Sequence, residues 1–261
     1  MKKHILVLDI GNTTIYIGLY IRERLARTWR IASDRGKTAD EYFAIINTLL
    51  RAYTDDKDID IDAIAVSSVS PMIGKSIAMM IEQHFETPFI FVDGNTTLGL
   101  KFGKADPNRI GADLIVNAYS AMKKYETNCI VCDFGTATTI QLIGVEGTFY
   151  GTAILPGLMT AAQKLFDTAA LLKNIYLESP KELLGTNTID SLQSGIVRGH
   201  AYSVDGFITD IKKKYKHIGN IRTIATGGIA KLVATNSKKI DVVDESLTLE
   251  GLYLIATTLL L

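Results

Sequence analysis

Residues 131–143, VCDFGTATTIQLI, repeat a pattern that the chain already shows at residues 7–19, VLDIGNTTIYIGL. Each copy has an apolar strand, an Asp, an apolar residue, a Gly, a turn rich in hydroxyl side chains and a second apolar strand. The two aspartates, Asp9 and Asp133, are separated by almost half of the 261 residues. A pattern that recurs over such a distance predicts an internal duplication.

The two halves of the chain have the same predicted order of elements. Each begins with three strands and a helix and continues with alternating strands and helices, a βββαβαβ pattern. The predicted fold class is therefore α/β, with two duplicated domains of mixed sheets and flanking helices that leave a cleft between them. The N-terminal domain is predicted to comprise residues 1–116, joined by the C-terminal helix 247–261. The C-terminal domain is predicted to comprise residues 117–246.

Two helices of the N-terminal half carry clear start signals. Thr38, with Glu41 three residues later, forms a capping box. The apolar residues that follow it at helical spacing are Phe43, Ile46, Leu50 and Tyr53. A second helix is predicted from Pro107 to about Tyr125, because Pro is favoured at the first helical position. In this helix Asp113 lies on the shoulder of the apolar face, and the residues alone favour exposure to water over a cleft.

The composition argues against several classes of function. The 28 acidic and 28 basic residues give a net charge of zero, which disfavours a surface built for nucleic acid. No signal peptide is expected, because Asp9 ends the first apolar run. The C-terminal stretch GLYLIATTLLL is too short to span a bilayer. We therefore expect a cytoplasmic protein with neither a nucleic-acid nor a membrane partner.

The cysteines and histidines are assigned no chemistry. Cys129 and Cys132 form a CxxC, but they lie in a predicted strand that separates them by about 10 Å, beyond the reach of a disulfide. Ordinary core cysteines are the better interpretation. The histidines have neither metal-site nor triad spacing: His4, His84, His200 and His217.

The repeated turns are candidate phosphate-binding loops. A strand–turn–strand with a Gly at its tip can bring backbone N–H groups close to an anion. Asp9, at the strand end, can hold a hydrated divalent cation, and Asp133 occupies the corresponding place in the second copy. The residues expected to bind phosphate are Gly11, Asn12, Thr13 and Thr14 in the first loop and Gly135, Thr136 and Thr138 in the second. Such a pair suits a nucleotide triphosphate, whereas one copy alone is equally compatible with an ordinary hairpin turn.

Two further glycine motifs are weaker. Gly36-Lys37-Thr38 lies between a strand and a helix, as a Walker loop does, but that motif needs a Gly where this chain has Ile31. The stretch ATGG at residues 225–228 ends a strand in a glycine turn. That turn either lets an adenine approach the backbone or serves the structure alone.

The order and spacing of several short motifs resemble those of type III pantothenate kinases, within the superfamily of actin, heat-shock chaperones and sugar kinases. The motifs are DIGNTT (9–14), TADEY (38–42), SSVSP (67–71), DPNRIGAD (106–113), DFGTATT (133–139), AILPG (153–157), TNTIDSLQSGI (186–196) and ATGG (225–228). The resemblance implies two ribonuclease H-like domains and ATP-dependent phosphorylation of pantothenate to 4'-phosphopantothenate, the first step of coenzyme A biosynthesis. It also implies a homodimer that requires Mg²⁺ and a monovalent cation, K⁺ or NH₄⁺.

The resemblance also implies roles for single residues. Asp113 corresponds to the catalytic base, Asp133 to a ligand of the monovalent cation and Thr136 to a contact of ATP. Thr188 corresponds to a threonine that holds pantothenate at the dimer interface, although its place also suits a helix N-cap. The resemblance adds Ile10, Ile15 and Tyr16 to the residues expected at the nucleotide, and Gly111, Ala112 and Leu114 to those expected at the acceptor.

Two positions depart from the family pattern. Leu114 stands where the family has an Arg, and Lys104 stands where it has a Tyr; both family residues help to place pantothenate. Lys104 is predicted to supply the missing positive charge, with Arg109 as the alternative, and an arginine at position 114 is expected to be tolerated. The departures leave open a kinase of the same superfamily with another small acceptor. A nucleotide-binding regulatory relative without catalysis is a third hypothesis, which the retained aspartates disfavour.

Overall fold

The computed structural model describes residues 3–54, 59–168 and 176–261. The chain divides into two compact units, neither of which is a continuous stretch. The first unit comprises Met1–Gly99, Lys104–Ser120 and Leu247–Leu261, and the second comprises Leu100–Gly103 and Ala121–Ser246. Within the described residues, each unit contains one five-stranded mixed sheet.

The first unit is built on a sheet of order β3-β2-β1-β4-β5. Strands β1 to β3 form an antiparallel meander, and β4 and β5 continue the sheet in parallel with β1. Its elements are β1 (His4–Ile10), β2 (Thr14–Ile21), β3 (Arg24–Ala32), α1 (Ala39–Tyr53), β4 (Ala63–Ser68), α2 (Pro71–His84), β5 (Phe89–Phe91), α3 (Ala112–Tyr125), whose last turn belongs to the second unit, and the C-terminal helix α8 (Leu247–Leu259).

The second unit repeats this architecture with a sheet of order β8-β7-β6-β9-β10. The strand directions match those of the first sheet one by one, since β6 to β8 are antiparallel and β9 and β10 are parallel to β6. The predicted duplication and α/β class are confirmed. The elements are β6 (Asn128–Phe134), β7 (Ala137–Ile143), β8 (Phe149–Pro156), α4 (Leu158–Thr168), α5 (Thr188–Gln193), a π-helical turn (Ser194–Arg198), α6 (Gly199–Lys214), β9 (Ile221–Thr226), α7 (Ala230–Asn236) and β10 (Val242–Val243).

Helices cover both faces of the first sheet. On one face, α1 and α2 bury a core that includes Leu6, Leu8, Ile10, Ile15 and Ile17. Helix α8 packs on the opposite face. Gly18 of β2 lies against Leu249 of this helix: a Cβ added at Gly18 would be 3.0 Å from Leu249 Cδ1. A strand buried on both faces reads as a continuous apolar run, which is how β1 appears in the sequence.

Helix α1 begins as the sequence predicts. The side chains of Thr38 and Glu41 each accept a hydrogen bond from the other residue's backbone N–H, at 3.3 and 2.8 Å, which confirms the capping box. Its buried face is rotated from the predicted one, because Tyr42 is fully buried whereas Tyr53 is 41% exposed.

The single helix predicted from Pro107 to Tyr125 is wrong at its start. Pro107–Arg109 form only a 3₁₀ turn, capped by Asp106 Oδ1, which accepts a hydrogen bond from the Asn108 N–H at 3.0 Å. Ile110 then takes an extended conformation, with φ −94° and ψ 131°, and ends the turn. Helix α3 begins at Ala112, so Asp113 lies in its first turn.

The two cysteines are buried in β6 and form no disulfide, which confirms their interpretation as core residues. Burial raises the pKa of the Cys129 thiol to about 12 and raises that of the Cys132 thiol as well. Both thiols therefore stay protonated and unreactive at neutral pH. In the part of the chain that the structure describes, no helix has the length and apolar character needed to cross a membrane.

Candidate active site

The first candidate phosphate loop connects β1 to β2. The Gly11 N–H donates a hydrogen bond to Thr14 O at 3.0 Å, which closes the turn. Ser33, just beyond β3, fastens the loop from outside: its hydroxyl donates to Gly11 O at 2.7 Å and its N–H donates to Thr13 O at 3.0 Å. The side chains of Asn12, Thr13 and Thr14 are exposed, as a binding role requires.

Asp9 lies at the end of β1, next to this loop. It is in register with Ser67 on the parallel strand β4, and the buried Ser67 hydroxyl donates a hydrogen bond to Asp9 Oδ1 at 2.5 Å. The carboxylate is partly exposed. The side chains of Ile10 and Ile15, which were also expected at the nucleotide, are fully buried in the core. Tyr16 is partly buried and pairs with Asp9 across β1 and β2.

The second candidate loop connects β6 to β7 and has a similar closure. The Gly135 N–H donates to Ala137 O at 3.0 Å. The start of α4 supports the loop, because Thr136 O accepts hydrogen bonds from the Thr160 hydroxyl at 2.8 Å and from the Gly157 N–H at 3.2 Å. Gly135 and Thr136 are exposed.

Thr138 is placed differently from the other loop hydroxyls. Its side chain is fully buried, and Thr138 Oγ1 lies 3.0 Å from Nε2 of His200 at the start of α6. Burial lowers the pKa of the His200 imidazole, so the ring is neutral at pH 7. Thr138 and His200 thus support the second loop from within the unit. No signal in the sequence points to this pair, because the proximity of Thr138 and His200 depends on how α6 packs.

Asp133 is the second-to-last residue of β6, the place that Asp9 occupies in β1. It is partly buried and in register with Thr139 on β7 and Thr226 on β9. Gly227, with φ +95°, lies against the carboxylate: an added Cβ would be 2.5 Å from Asp133 Oδ1. The ATGG turn therefore requires glycine at position 227 for both its conformation and its close approach to Asp133.

Asp113 is partly buried in the first turn of α3. Its Oδ1 accepts a hydrogen bond from the Leu114 N–H at 2.9 Å. Burial raises the pKa of the carboxyl group, an effect that the hydrogen bond opposes only in part. The water-exposed position that the residues alone favoured is therefore wrong. A carboxyl group with a raised pKa is a candidate functional group.

Val69 links Asp113 to the first loop. The Val69 N–H donates to Ile10 O at 3.0 Å. A Cβ added at Gly111 would lie 3.7 Å from Val69 Cγ1 and would touch Asp113 Oδ1. Asp113 and the first loop therefore share the edge of the sheet where the parallel strands β1 and β4 end. Open α/β sheets bind their ligands at this edge.

The residues expected at the acceptor are not equally accessible. Lys104 is exposed in the turn before the Asp106 cap. Arg109 is exposed but lies 3.6 Å from the carboxylate of Asp106. Ala112 and Leu114 are 8% and 5% exposed, so their side chains belong to the core. The expectation that an arginine is tolerated at position 114 does not agree with this burial.

Thr188 is the first residue of α5 and is exposed. The N-cap is its neighbour Asn187, whose side chain accepts a hydrogen bond from the Asp190 N–H at 3.0 Å. A surface pocket of about 540 Å³ surrounds this turn and is lined by Gly185, Thr186, Asn187, Thr188, Ser191 and Leu192. The Thr188 hydroxyl is therefore available to a ligand.

Comparison with known proteins identifies the family. A family model for type III pantothenate kinase matches residues 5–210. The type III pantothenate kinase of Halalkalibacterium halodurans is 43% identical over 252 residues, which cover 96% of this chain and 98% of that protein.

Two solved structures show the same duplicated ribonuclease H-like fold. A Baf family protein from Campylobacter jejuni is 17% identical with a TM-score of 0.61, and the match covers 96% of both chains. Component A of (R)-2-hydroxyglutaryl-CoA dehydratase from Acidaminococcus fermentans is 15% identical with a TM-score of 0.55, covering 98% of this chain and 97% of that chain. At these identities the likeness shows the fold alone. The family match and the full-length relative show that this chain belongs to the type III pantothenate kinases.

Proposed function

We propose that this protein transfers the γ-phosphoryl group of ATP to the hydroxyl group of pantothenate, with Asp113 as the general base. The product is 4'-phosphopantothenate, and the reaction is the first step of coenzyme A biosynthesis. The observation that carries the assignment of the base is the link through Val69, which sets Asp113 at the same sheet edge as the first loop. Phosphoryl transfer needs mainly positioning and neutralisation of charge, so one carboxylate beside a phosphate site suits it.

The environment of Asp113 supports the base role. Burial raises the pKa of its carboxyl group towards the working pH, which makes the carboxylate a stronger base. In the proposed step, Asp113 accepts the hydroxyl proton while the pantothenate oxygen attacks the γ-phosphorus. The bond between that phosphorus and the bridging oxygen of ADP breaks. The Leu114 N–H fixes the carboxylate in place before the reaction.

Each loop is proposed to be a phosphate-binding turn for ATP. Asn12, Thr13 and Thr14 offer exposed side chains in the first loop, and Gly135 and Thr136 offer an exposed turn in the second. Thr138 contributes by supporting its loop, since its hydroxyl is directed to His200.

Asp9 is proposed to hold Mg²⁺. No group of three or more His, Cys, Asp or Glu side chains within residues 3–54, 59–168 and 176–261 is arranged to hold a metal ion. A single carboxylate nevertheless fits Mg²⁺, which proteins commonly bind through one or two carboxylates together with phosphate oxygens and water. Asp9, oriented by the Ser67 hydroxyl, is such a ligand. The ion would neutralise charge on the phosphates of the bound nucleotide.

Asp133 is proposed to hold the monovalent cation, K⁺ or NH₄⁺. A partly buried carboxylate is a hard oxygen donor, the kind of ligand that suits an alkali cation. The backbone of Gly227 approaches this carboxylate closely. The same turn could therefore add peptide oxygen ligands, which suit alkali cations.

Lys104 and Thr188 are proposed to bind pantothenate. The protein is also proposed to act as a homodimer in the cytoplasm. Both side chains are exposed, and Lys104 carries the positive charge that a carboxylate substrate needs. A kinase with another small acceptor is the second candidate, because Lys104 and the buried Leu114 replace the family's Tyr and Arg.

An assay of ADP release coupled to NADH oxidation tests the proposal. We expect ADP release that depends on both pantothenate and K⁺. Release that depends on K⁺ but responds to a different hydroxylated acid in place of pantothenate would support the second candidate. Absence of ATP turnover with every acceptor would contradict both.

A further inference from the structure

A row of polar side chains crosses the first sheet at the level of Asp9. Asp9 is in register with Ser67 on β4 and with Tyr16 on β2, and Tyr16 is in register with Arg30 on β3. Directly opposed residues on neighbouring strands point to the same face of a sheet. Ser67, Asp9, Tyr16 and Arg30 therefore share the face opposite to the core of α1 and α2.

Arg30 is held within this row by an aromatic ring. Its guanidinium carbon lies 3.9 Å from the centroid of the Tyr16 ring. The Arg30 side chain is exposed and has no carboxylate partner in the described part of the chain. A guanidinium that stacks through its face keeps its in-plane N–H groups free for a second ligand. Tyr16 thus holds a positively charged side chain on the sheet face of Asp9, two strands away from it.

The strand that carries Arg30 is fastened to the first loop. Ser33, three residues further along the chain, forms the two hydrogen bonds to Gly11 O and Thr13 O that hold the loop from outside. The end of the strand that carries Arg30 is therefore fixed relative to the loop proposed to bind phosphate, and Arg30 lies on the same sheet face as the carboxylate proposed to hold Mg²⁺.

The second unit shows that the fold does not require a cation here. Asp133 is in register with Thr139, which is in register with Ile154 on β8. Ile154 is the counterpart of Arg30, and its side chain is 66% exposed. The duplicated architecture therefore tolerates an exposed apolar residue at this position, and the positive charge of Arg30 is particular to the first loop.

We propose that Arg30, positioned by stacking on Tyr16, binds the phosphoryl oxygens of the nucleotide at the first loop. Guanidinium and phosphate groups form paired, charge-assisted hydrogen bonds. The proposal rests on the proposed function only in taking a nucleotide triphosphate as the ligand of the loop. Phosphate is favoured over the acceptor carboxylate as the ligand because Ser33, just beyond the end of the strand that carries Arg30, is hydrogen-bonded to the first loop.

Titration calorimetry with ATP and with adenosine tests the proposal. Arg30→Met keeps the length of the side chain and removes the charge, and we expect it to weaken ATP binding by about tenfold to a hundredfold. Adenosine binding should not change. Arg30→Lys should lie between Arg30→Met and the unaltered protein, and Tyr16→Leu should weaken ATP binding more than Tyr16→Phe does. Arg24→Met, at the opposite exposed end of β3, is the control and should bind ATP normally.

Three outcomes would overturn the proposal. The first is an unchanged ATP affinity in Arg30→Met, and the second is a loss of adenosine binding in this variant as large as its loss of ATP binding. The third is a raised KM for pantothenate with unaltered ATP binding, which would assign Arg30 to the acceptor. If Arg30→Met proves unfolded by circular dichroism, Arg30→Lys decides by the same ATP-to-adenosine comparison. Because the two calorimetric readouts need no turnover, an unaltered protein that binds ATP without phosphorylating pantothenate would refute the proposed acceptor alone.

Discussion

The hydroxyl group of Ser67 donates a hydrogen bond to the carboxylate of Asp9 from the neighbouring parallel strand. This contact orients the carboxylate of Asp9 at the partly exposed edge of the sheet. Two residues after Ser67, Val69 bonds to the backbone of Ile10 and lies beside Gly111. The end of β4 therefore organises both the first loop and the start of α3.

Asp113→Asn should abolish turnover while ATP binding persists. Loss of a general base typically costs about 10²–10⁴-fold in rate. For the unaltered protein, the raised pKa of Asp113 predicts that kcat falls as pH decreases through that pKa, because the protonated carboxyl group cannot accept a proton. Steady-state kinetics with calorimetry of ATP binding checks the prediction. Turnover within a few-fold of normal would remove Asp113 from the base role.

The same substitution should raise thermal stability. A folded-state pKa above the unfolded value means that burial penalises the charged form, so Asp113 contributes less to stability as pH rises through its pKa. The neutral amide avoids this cost above that pH. We therefore expect a higher Tm for Asp113→Asn at pH 8 and a smaller difference at pH 4. A lower Tm at pH 8 would indicate that the carboxylate is stabilised by the fold.

Asp133→Ala should remove activation by K⁺ or NH₄⁺. The unaltered protein is expected to be more active in K⁺ than in Na⁺ at equal ionic strength, and the variant should be weakly active in either salt. Equal activity of the unaltered protein in the two salts would contradict the proposed monovalent site.

Gly227→Ala should destabilise the second unit and weaken activation by the cation. A left-handed conformation costs an L-residue about 1–2 kcal/mol. The added methyl group would also press against Asp133 Oδ1. Gly228→Ala is the matched control, since an added Cβ there meets no atom within 4 Å. Thermal denaturation and a K⁺ titration of both variants check the prediction, and equal behaviour of the two would contradict it.

Lys104→Met should raise the KM for pantothenate by about tenfold to a hundredfold, because the variant loses a charge-assisted hydrogen bond to the substrate. The KM for ATP should stay unchanged. Lys101→Met, which removes another exposed lysine from the same segment, should change neither constant. If Lys104→Met behaves like this control, the acceptor is placed by other groups, with Arg109 as the next candidate.

The duplication could be predicted from the sequence because each copy of the strand–Asp–Gly–hydroxyl pattern lies within one short stretch of the chain. Prediction was less successful where position depends on packing. Asp106 caps a short turn that ends at Ile110, so the helical periodicity drawn through Pro107 misplaced Asp113. Leu114 looked like a substrate position, yet it faces the core. The contacts of Ser67 with Asp9 and of His200 with Thr138 join residues far apart in the chain. No spacing rule could have found them.

Product analysis by mass spectrometry tests whether this protein phosphorylates pantothenate with Asp113 as the base. The purified protein is incubated with ATP, Mg²⁺, K⁺ and pantothenate, beside the Asp113→Asn variant. We predict that the unaltered protein forms phosphopantothenate, with one ADP released for each phosphoryl group transferred, and that the variant forms almost none. Release of ADP without phosphopantothenate would contradict the proposed acceptor, and equal product from the variant would contradict the base role of Asp113.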